Sequence, residues 1–206
     1  MKNADGHTDI DLTPGPFPNR EGERRRRPQF KTRVVILLLV VFAPFVEPWA
    51  HAQNAEHVVK AAFIVNFVTF IEWPARAFDS EDAPFVIGIV GEDAFGSVID
   101  RAAKEKNADG RAFVVKRLEW GSEMKGCHVL FLSASEKDKL KELAELLKDT
   151  PILTISETPG FTKHGGIINF FVEDEKVRFE INVDAAKRAK LAISSKLLRL
   201  AKIVKD

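Results

Sequence analysis

Phe85-Val86-Ile87-Gly88-Ile89-Val90 is the stretch whose reading decides the fold. A short apolar run of this kind predicts a buried strand. A helix is expected from about Phe95 to Lys104, then a strand near Ala112 to Val115. After a Gly-bounded loop, His128 to Leu132 reads as a strand and Glu136 to Leu147 as a helix, with Leu140, Leu143, Leu146 and Leu147 on one face. Ile152 to Ile155 follows as another strand. Strand–helix–strand alternation implies right-handed crossovers and a largely parallel sheet with helices over its faces.

The pattern then changes. Ile167 to Val172 and Val177 to Asn182 flank Glu173-Asp174-Glu175-Lys176, a charged turn that fits a β-hairpin. Two helices are expected at the end, Val183 to about Lys190 and Ser194 to Val204. The predicted fold class is a single α/β domain: a mixed, largely parallel sheet packed between helices, with a C-terminal β-hairpin and helix.

Upstream, His57 to Trp73 reads as a helix that Pro74 stops, because proline disfavours the α conformation in the residue before it. Val58, Val59, Phe63, Ile64, Val65, Phe67, Val68, Phe70 and Ile71 leave only Lys60, Asn66, Thr69 and Glu72 as polar breaks. Such a segment is too short and too interrupted to span a bilayer. A helix apolar on every side is either sandwiched inside the domain or covers a second surface in a partner.

Further upstream, Arg24-Arg25-Arg26-Arg27, Lys31 and Arg33 lead into an apolar run from Val34 to Ala43, and Ala50-His51-Ala52 follows as a small-x-small triplet. Together these read as a secretory signal peptide cut after Ala52, in preference to a retained anchor, since Pro44, Glu47 and Pro48 interrupt the run. Residues 1–52 are therefore expected to be an unstructured overhang plus a cleavable leader, and 53–206 the folded domain. Eight of the 31 Lys and Arg and six of the 30 Asp and Glu lie in that leader, leaving a domain of net charge −1. A near-neutral domain lacks the field that gathers polyanions, which argues against nucleic acid as a partner.

The only cysteine, Cys127, has no partner for an internal disulfide and is expected to be a buried strand thiol. The histidines at 57, 128 and 164 lack metal-site spacing, and no G-x-S-x-G elbow surrounds Ser133. The Gly88–Gly96 segment resembles a phosphate loop, but Glu92 and Asp93 stand where a phosphate would dock, so Asp93 reads instead as a helix cap. Asn66, Glu180 and Asn182 read first as structural hydrogen-bond links and second as ligand contacts. Lys196, Arg199, Lys202 and Lys205 read as a solvated face of the last helix. No catalytic residue, cofactor or metal is expected.

Lys60-Ala61-Ala62-Phe63-Ile64-Val65-Asn66-Phe67 running to Phe70-Ile71-Glu72-Trp73-Pro74 resembles the opening segment of the YfiR-like periplasmic protein family. Val86–Gly91 with Asp93–Gly96, and Cys127–Ser133, resemble its next blocks. Gly165-Gly166-Ile167-Ile168-Asn169-Phe170, Phe179-Glu180-Ile181-Asn182 and Ile193-Ser194-Ser195 are similar to its last third. Val65 and Ala94 stand where the family often has an aromatic and a proline, and the cysteine pairs of some members are absent.

The resemblance implies a non-enzymatic periplasmic regulator. Its expected partner is the periplasmic sensor domain of a membrane-anchored GGDEF protein or sensor kinase, and its expected effect is inhibition of a diguanylate cyclase, lowering cyclic-di-GMP. Phe63, Phe67, Phe70 and Trp73 are the candidate partner-binding anchors, because large rigid aromatics dominate interface energetics. Homodimerisation and a small ligand stay open. Two competing readings remain: a periplasmic small-molecule-binding sensor, which needs an apolar pocket of several hundred Å³, and a hydrolase using Ser133 with a histidine.

Overall fold

The computed structural model describes residues 47–147 and 149–206. The basic block and apolar run of the expected leader lie outside the described residues. Helix α1 (Glu47–Val68) leads into strand β1 (Ile71–Glu72), a 3-10 turn (Ala75–Ala77) and strand β2 (Phe85–Val90). Then come α2 (Ser97–Lys104), β3 (Asn107–Ala108), β4 (Arg111–Leu118), β5 (Val129–Leu132), α3 (Leu140–Leu146) and β6 (Leu153–Ser156). The chain closes with β7 (Ile168–Glu173), β8 (Lys176–Asn182), α4 (Val183–Arg188), β9 (Ala192–Ile193), α5 (Ser195–Leu198) and β10 (Lys202–Val204).

Eight strands form one sheet in the order β10-β8-β7-β6-β5-β2-β4-β3. The pairs joining β4, β2, β5, β6 and β7 are parallel, while β7–β8 and β3–β4 are antiparallel. This is the mixed, largely parallel α/β sheet expected from the buried runs. Ile87, Ile89, Val129, Phe131, Ile155 and Phe170 face α1 and α2, whereas Leu130, Leu132, Leu140, Leu143 and Phe161 fill the opposite face under α3. Asp174 (φ 49°) and Glu175 (φ 59°) close the β7–β8 hairpin with both central residues in the left-handed region, which matches the twist of the flanking strands.

Three elements differ from the expectation. Helix α1 runs from Glu47 to Val68 rather than from His57 to Trp73: it begins ten residues earlier, taking in the Ala50-His51-Ala52 triplet, and ends five residues earlier. The Thr69 hydroxyl donates to the Asn66 carbonyl (2.8 Å), and the Phe70 amide bonds back to Phe67 (2.9 Å), so a local turn replaces the helical ladder. Ile71 and Glu72 then pair antiparallel with Ile193 and Ala192. The helix expected to start at Glu136 begins as a 3-10 segment, Ala134–Lys139, with Glu136 off helical geometry, and becomes α-helical only at Leu140.

The last expected helix is one short helical segment, α5, after which Lys202–Val204 join the sheet parallel to Glu180–Asn182. The β-branched pair Ile203-Val204 suits that edge, and Lys202 and Lys205 accordingly belong to an edge strand and its exit, not to a helix face. Charged side chains on an edge discourage unwanted strand pairing.

Candidate functional site

In this strand order the chain leaves β2 for β4 on one side and returns to β5 on the other. Such a reversal opens a crevice at the carboxyl ends of the two strands, where α/β sheets ordinarily hold ligands. Here the crevice is filled from within. The Glu92 amide donates to the Ser135 hydroxyl (3.0 Å), and Gly91 (φ +88°) lies so close to Ser135 and Glu136 that a Cβ there would overlap both. Asp93 accepts from the Phe95 and Gly96 amides (2.8 and 3.1 Å), bracing the turn before α2 rather than capping the helix itself, whose N-cap is Gly96. Arg117 binds Asp93, Asp100 and the Gly96 carbonyl, locking the entry to α2. The Arg117 hydrogen bonds, ahead of its charge, hold the Asp100 carboxyl below its usual range.

The pairing of Ser133 with His128 does not form. Ser133 follows the last residue of β5, whereas His128 precedes its first, and five steps of extended chain separate them by roughly 16 Å. His128 is committed elsewhere: Nδ1 accepts from the Val86 amide (3.0 Å) and Nε2 donates to the Ala77 carbonyl (2.9 Å). Burial, more than any neighbouring charge, lowers its pKa. Cys127 is buried as expected, but at the end of the 3-10 turn before β5 and not in the strand, and burial pushes its pKa up to about 11. Among the described residues no group of three or more His, Cys, Asp or Glu converges on a metal position.

The expected structural links are largely made. Asn182, 1 % exposed, caps α4 through Oδ1 and donates to the Thr162 carbonyl and Asp206, while Glu180 accepts from the Thr162 hydroxyl (2.5 Å). Asn66 is half-buried and bonded to Lys106 at the surface rather than inside. For the small-molecule reading, the cavity under α3, lined by Leu143, Phe161, His164 and Arg188, measures about 120 Å³. That is below the several hundred Å³ that ligand pockets of drug-sized molecules occupy; the groove beside Lys60, described below, reaches that size but is open and ringed by Glu56, Glu157, Lys163, Glu180 and Lys202.

Helix α1 carries the remaining candidates. Phe67 is 1 % exposed and packs on Phe170 (5.8 Å, stacked) and Phe179 (4.9 Å, edge-on). Phe63, half-buried one turn earlier, stacks on Phe67 (5.7 Å) and leans on Phe179. Phe70 and Trp73 are also half-buried, beyond the helix, and Trp73 meets Phe85 edge-on at 5.2 Å. The four aromatics therefore do not form one surface: Phe67 is core, and the other three border it.

Two features of α1 escaped the sequence reading. Its outward side exposes Val58 (45 %) and Val59 (42 %) together with Ala55 and Ala62. Its one lysine is inside: Lys60 is 4 % exposed and binds Glu157 (2.6 Å) at the end of β6 and Glu56 (2.5 Å) one turn back. Burial alone would lower the Lys60 pKa, but the Glu157 and Glu56 hydrogen bonds more than offset it, and the net direction is upward. The helix thus turns valines outward and a charge inward. Its Glu56–Lys60 turn also borders an open groove of about 640 Å³ that runs past Glu157 to Phe171 and Val172 of the hairpin.

A family profile described as YfiR/HmsC-like (DUF4154) matches residues 57–202, from the turn of α1 before Lys60 to the start of β10. The chain belongs to the YfiR/HmsC-like family. Members of that family are periplasmic regulators of cyclic-di-GMP signalling. Among solved structures, the crystal structure of a conserved domain protein from Vibrio cholerae is similar at 10 % identity and a TM-score of 0.44, covering 59 % of this chain. The matched part spans about half (54 %) of that Vibrio chain. No curated protein matches. No helix among the described residues is long and apolar enough to cross a membrane.

Proposed function

We propose that this YfiR/HmsC-like chain is exported through a cleavable leader, cut after Ala52, and binds the periplasmic sensor domain of an inner-membrane signalling protein. The simplest partner is a diguanylate cyclase, which the domain holds inactive, lowering cyclic-di-GMP; a sensor kinase is the second candidate. The domain acts by contact and not by catalysis. The observation that carries this reading is the family match over residues 57–202. The outward valines of α1 support it, because an exposed apolar patch beside half-buried aromatics suits a protein partner.

The proposed contact surface is Val58 and Val59 on α1 with Phe63 one turn on and Phe67 backing Phe63 from the core; Phe70 and Trp73, beyond the far end of the helix, are proposed as separate anchors. Deleting the gene should raise cyclic-di-GMP, and re-expressing the full chain should restore it. In vivo crosslinking at position 58 should trap a GGDEF membrane protein or a sensor kinase. Unchanged cyclic-di-GMP together with crosslinks to neither class would overturn the reading. Amino-terminal sequencing of the exported protein should begin at Gln53.

A further inference from the structure

Between Trp73 and Phe85 the chain makes a strap, residues 74–84, across the amino-terminal ends of β2, β4 and β5. The strap contains no fully buried residue, so it has little apolar area of its own to hold it down. Phe85 meets its Phe78 edge-on at 5.1 Å, and two polar side chains from the sheet side fasten it. Arg111 donates to the Ser80 and Ala83 carbonyls (2.9 and 2.7 Å) and lies 4.0 Å over the Phe78 ring. His128 donates from Nε2 to the Ala77 carbonyl and stacks on the same Phe78 ring from the sheet side (4.5 Å, 21°).

The His128 tautomer is dictated by its partners. A backbone amide can only donate, so the Val86 N–H requires a lone pair on Nδ1, and the proton must sit on Nε2. A second proton would go to Nδ1, facing another N–H at hydrogen-bond distance. The imidazolium would therefore lose the Val86 bond or swing away, and in swinging it would give up Ala77 and Phe78. The charged groups facing the ring are Arg111 from β4, which opposes a second positive charge, and Asp79 from the strap, which favours one. Phe85 and Val86 of β2 and Leu153 of β6, the other contacts, carry no charge.

We infer that His128 is a proton-operated latch: protonation at Nδ1 frees the Ala77–Phe78 part of the strap from the sheet, leaving Arg111 as its remaining polar tie, while the sheet itself stays folded. Release uncovers Phe78 and the Trp73–Phe85 contact, where the Trp73 indole N–H is buried without a partner. The device depends only on this chain and stands or falls independently of any partner.

Hydrogen exchange of the full chain, corrected for intrinsic rates, tests it at about pH 7.5 and about pH 4.5. Strap amides should exchange about tenfold or more faster at the lower pH, with β5 and β6 amides unchanged. In His128→Gln, whose amide accepts and donates without titrating, the strap should behave alike at both pH values. Equal strap protection in the wild type, or an equal rise in the variant, would overturn the latch. Should the variant not fold, NMR titration of the wild-type imidazole decides: His128 charging while the strap amides stay protected is the overturning result.

Discussion

The Lys60 ammonium sits 2.6 Å from the Glu157 carboxylate, tying the middle of α1 to the end of β6 across 97 residues of chain. Each carboxylate it holds is partly solvated, with side-chain exposures of 32 % for Glu56 and 22 % for Glu157. Removing the cation therefore strands two charges that water only partly rescues. Lys60→Met should cost about 2 kcal/mol in urea denaturation, below the cost of breaking a fully buried pair. Coupling in a Lys60→Met, Glu157→Gln double-mutant cycle would locate that loss in the pair.

The same pair sets an alkaline limit. A lysine whose folded pKa is raised contributes stability that is complete below its unfolded value of 10.5 and is lost as pH rises through the folded value. Wild-type stability should fall more steeply than that of Lys60→Met above pH 10.5. Parallel pH profiles for the two proteins would contradict this.

His128 has the opposite sign. Its folded pKa lies below the ordinary histidine value of 6.5, so the folded state binds fewer protons than the unfolded state between the two pKa values. Its contribution is complete above pH 6.5 and is lost as pH falls toward the folded pKa, below which it stays flat. Denaturant midpoints measured from pH 7.5 downward should show this slope in the wild type and lack it in His128→Gln.

Gly166 is pressed against the Phe161 ring so closely that a Cβ would overlap it. Phe161 is 1 % exposed and packs in the core under α3, so its ring can shift only into the small cavity beside it, giving up core contacts. Gly166→Ala should lower stability by about 2 kcal/mol through overpacking. Gly126→Ala, with nothing within 4 Å of its added methyl, is the control and should stay close to wild type.

Stability and binding should separate along α1. Phe67→Ala empties a core position and should cost about 3–5 kcal/mol. Val59→Glu, at a 42 % exposed site, should change stability by less than about 0.5 kcal/mol yet abolish the effect on cyclic-di-GMP. Thermal unfolding and second-messenger measurements on the two variants check both halves.

Legibility in the sequence followed the range of the forces involved. Strands β2 and β5 were readable as continuous apolar runs of the kind a doubly covered strand accommodates, and β6 from Ile152, Leu153 and Ile155 around Thr154. The hairpin was readable because its charged turn sits between two apolar runs. The ending was not: Leu197, Leu198, Ala201 and Ile203 fit a helical face, but the open edge of β8 captures Lys202–Val204 and leaves Leu200 70 % exposed. That competition is decided by long-range pairing, which local spacing does not record.

The site divides the same way. The aromatics near α1 were evident, but a helix apolar on almost every side gives no sign of which face is covered. The lone Lys60 was the available signal. A single cation in such a helix marks either the solvent side or a buried acid, and only Glu157, far along the chain, chooses between them.

The hydroxymethyl group of Ser135, seated against Gly91, has a consequence for how this sheet can evolve. It works as a stopper in the mouth that sheets of this topology leave open. With the stopper in, selection has only the outside of the molecule to work on, and new specificity must come from its helix faces and edges. Pulling it, by the loss of one small side chain, would return the interior route to use.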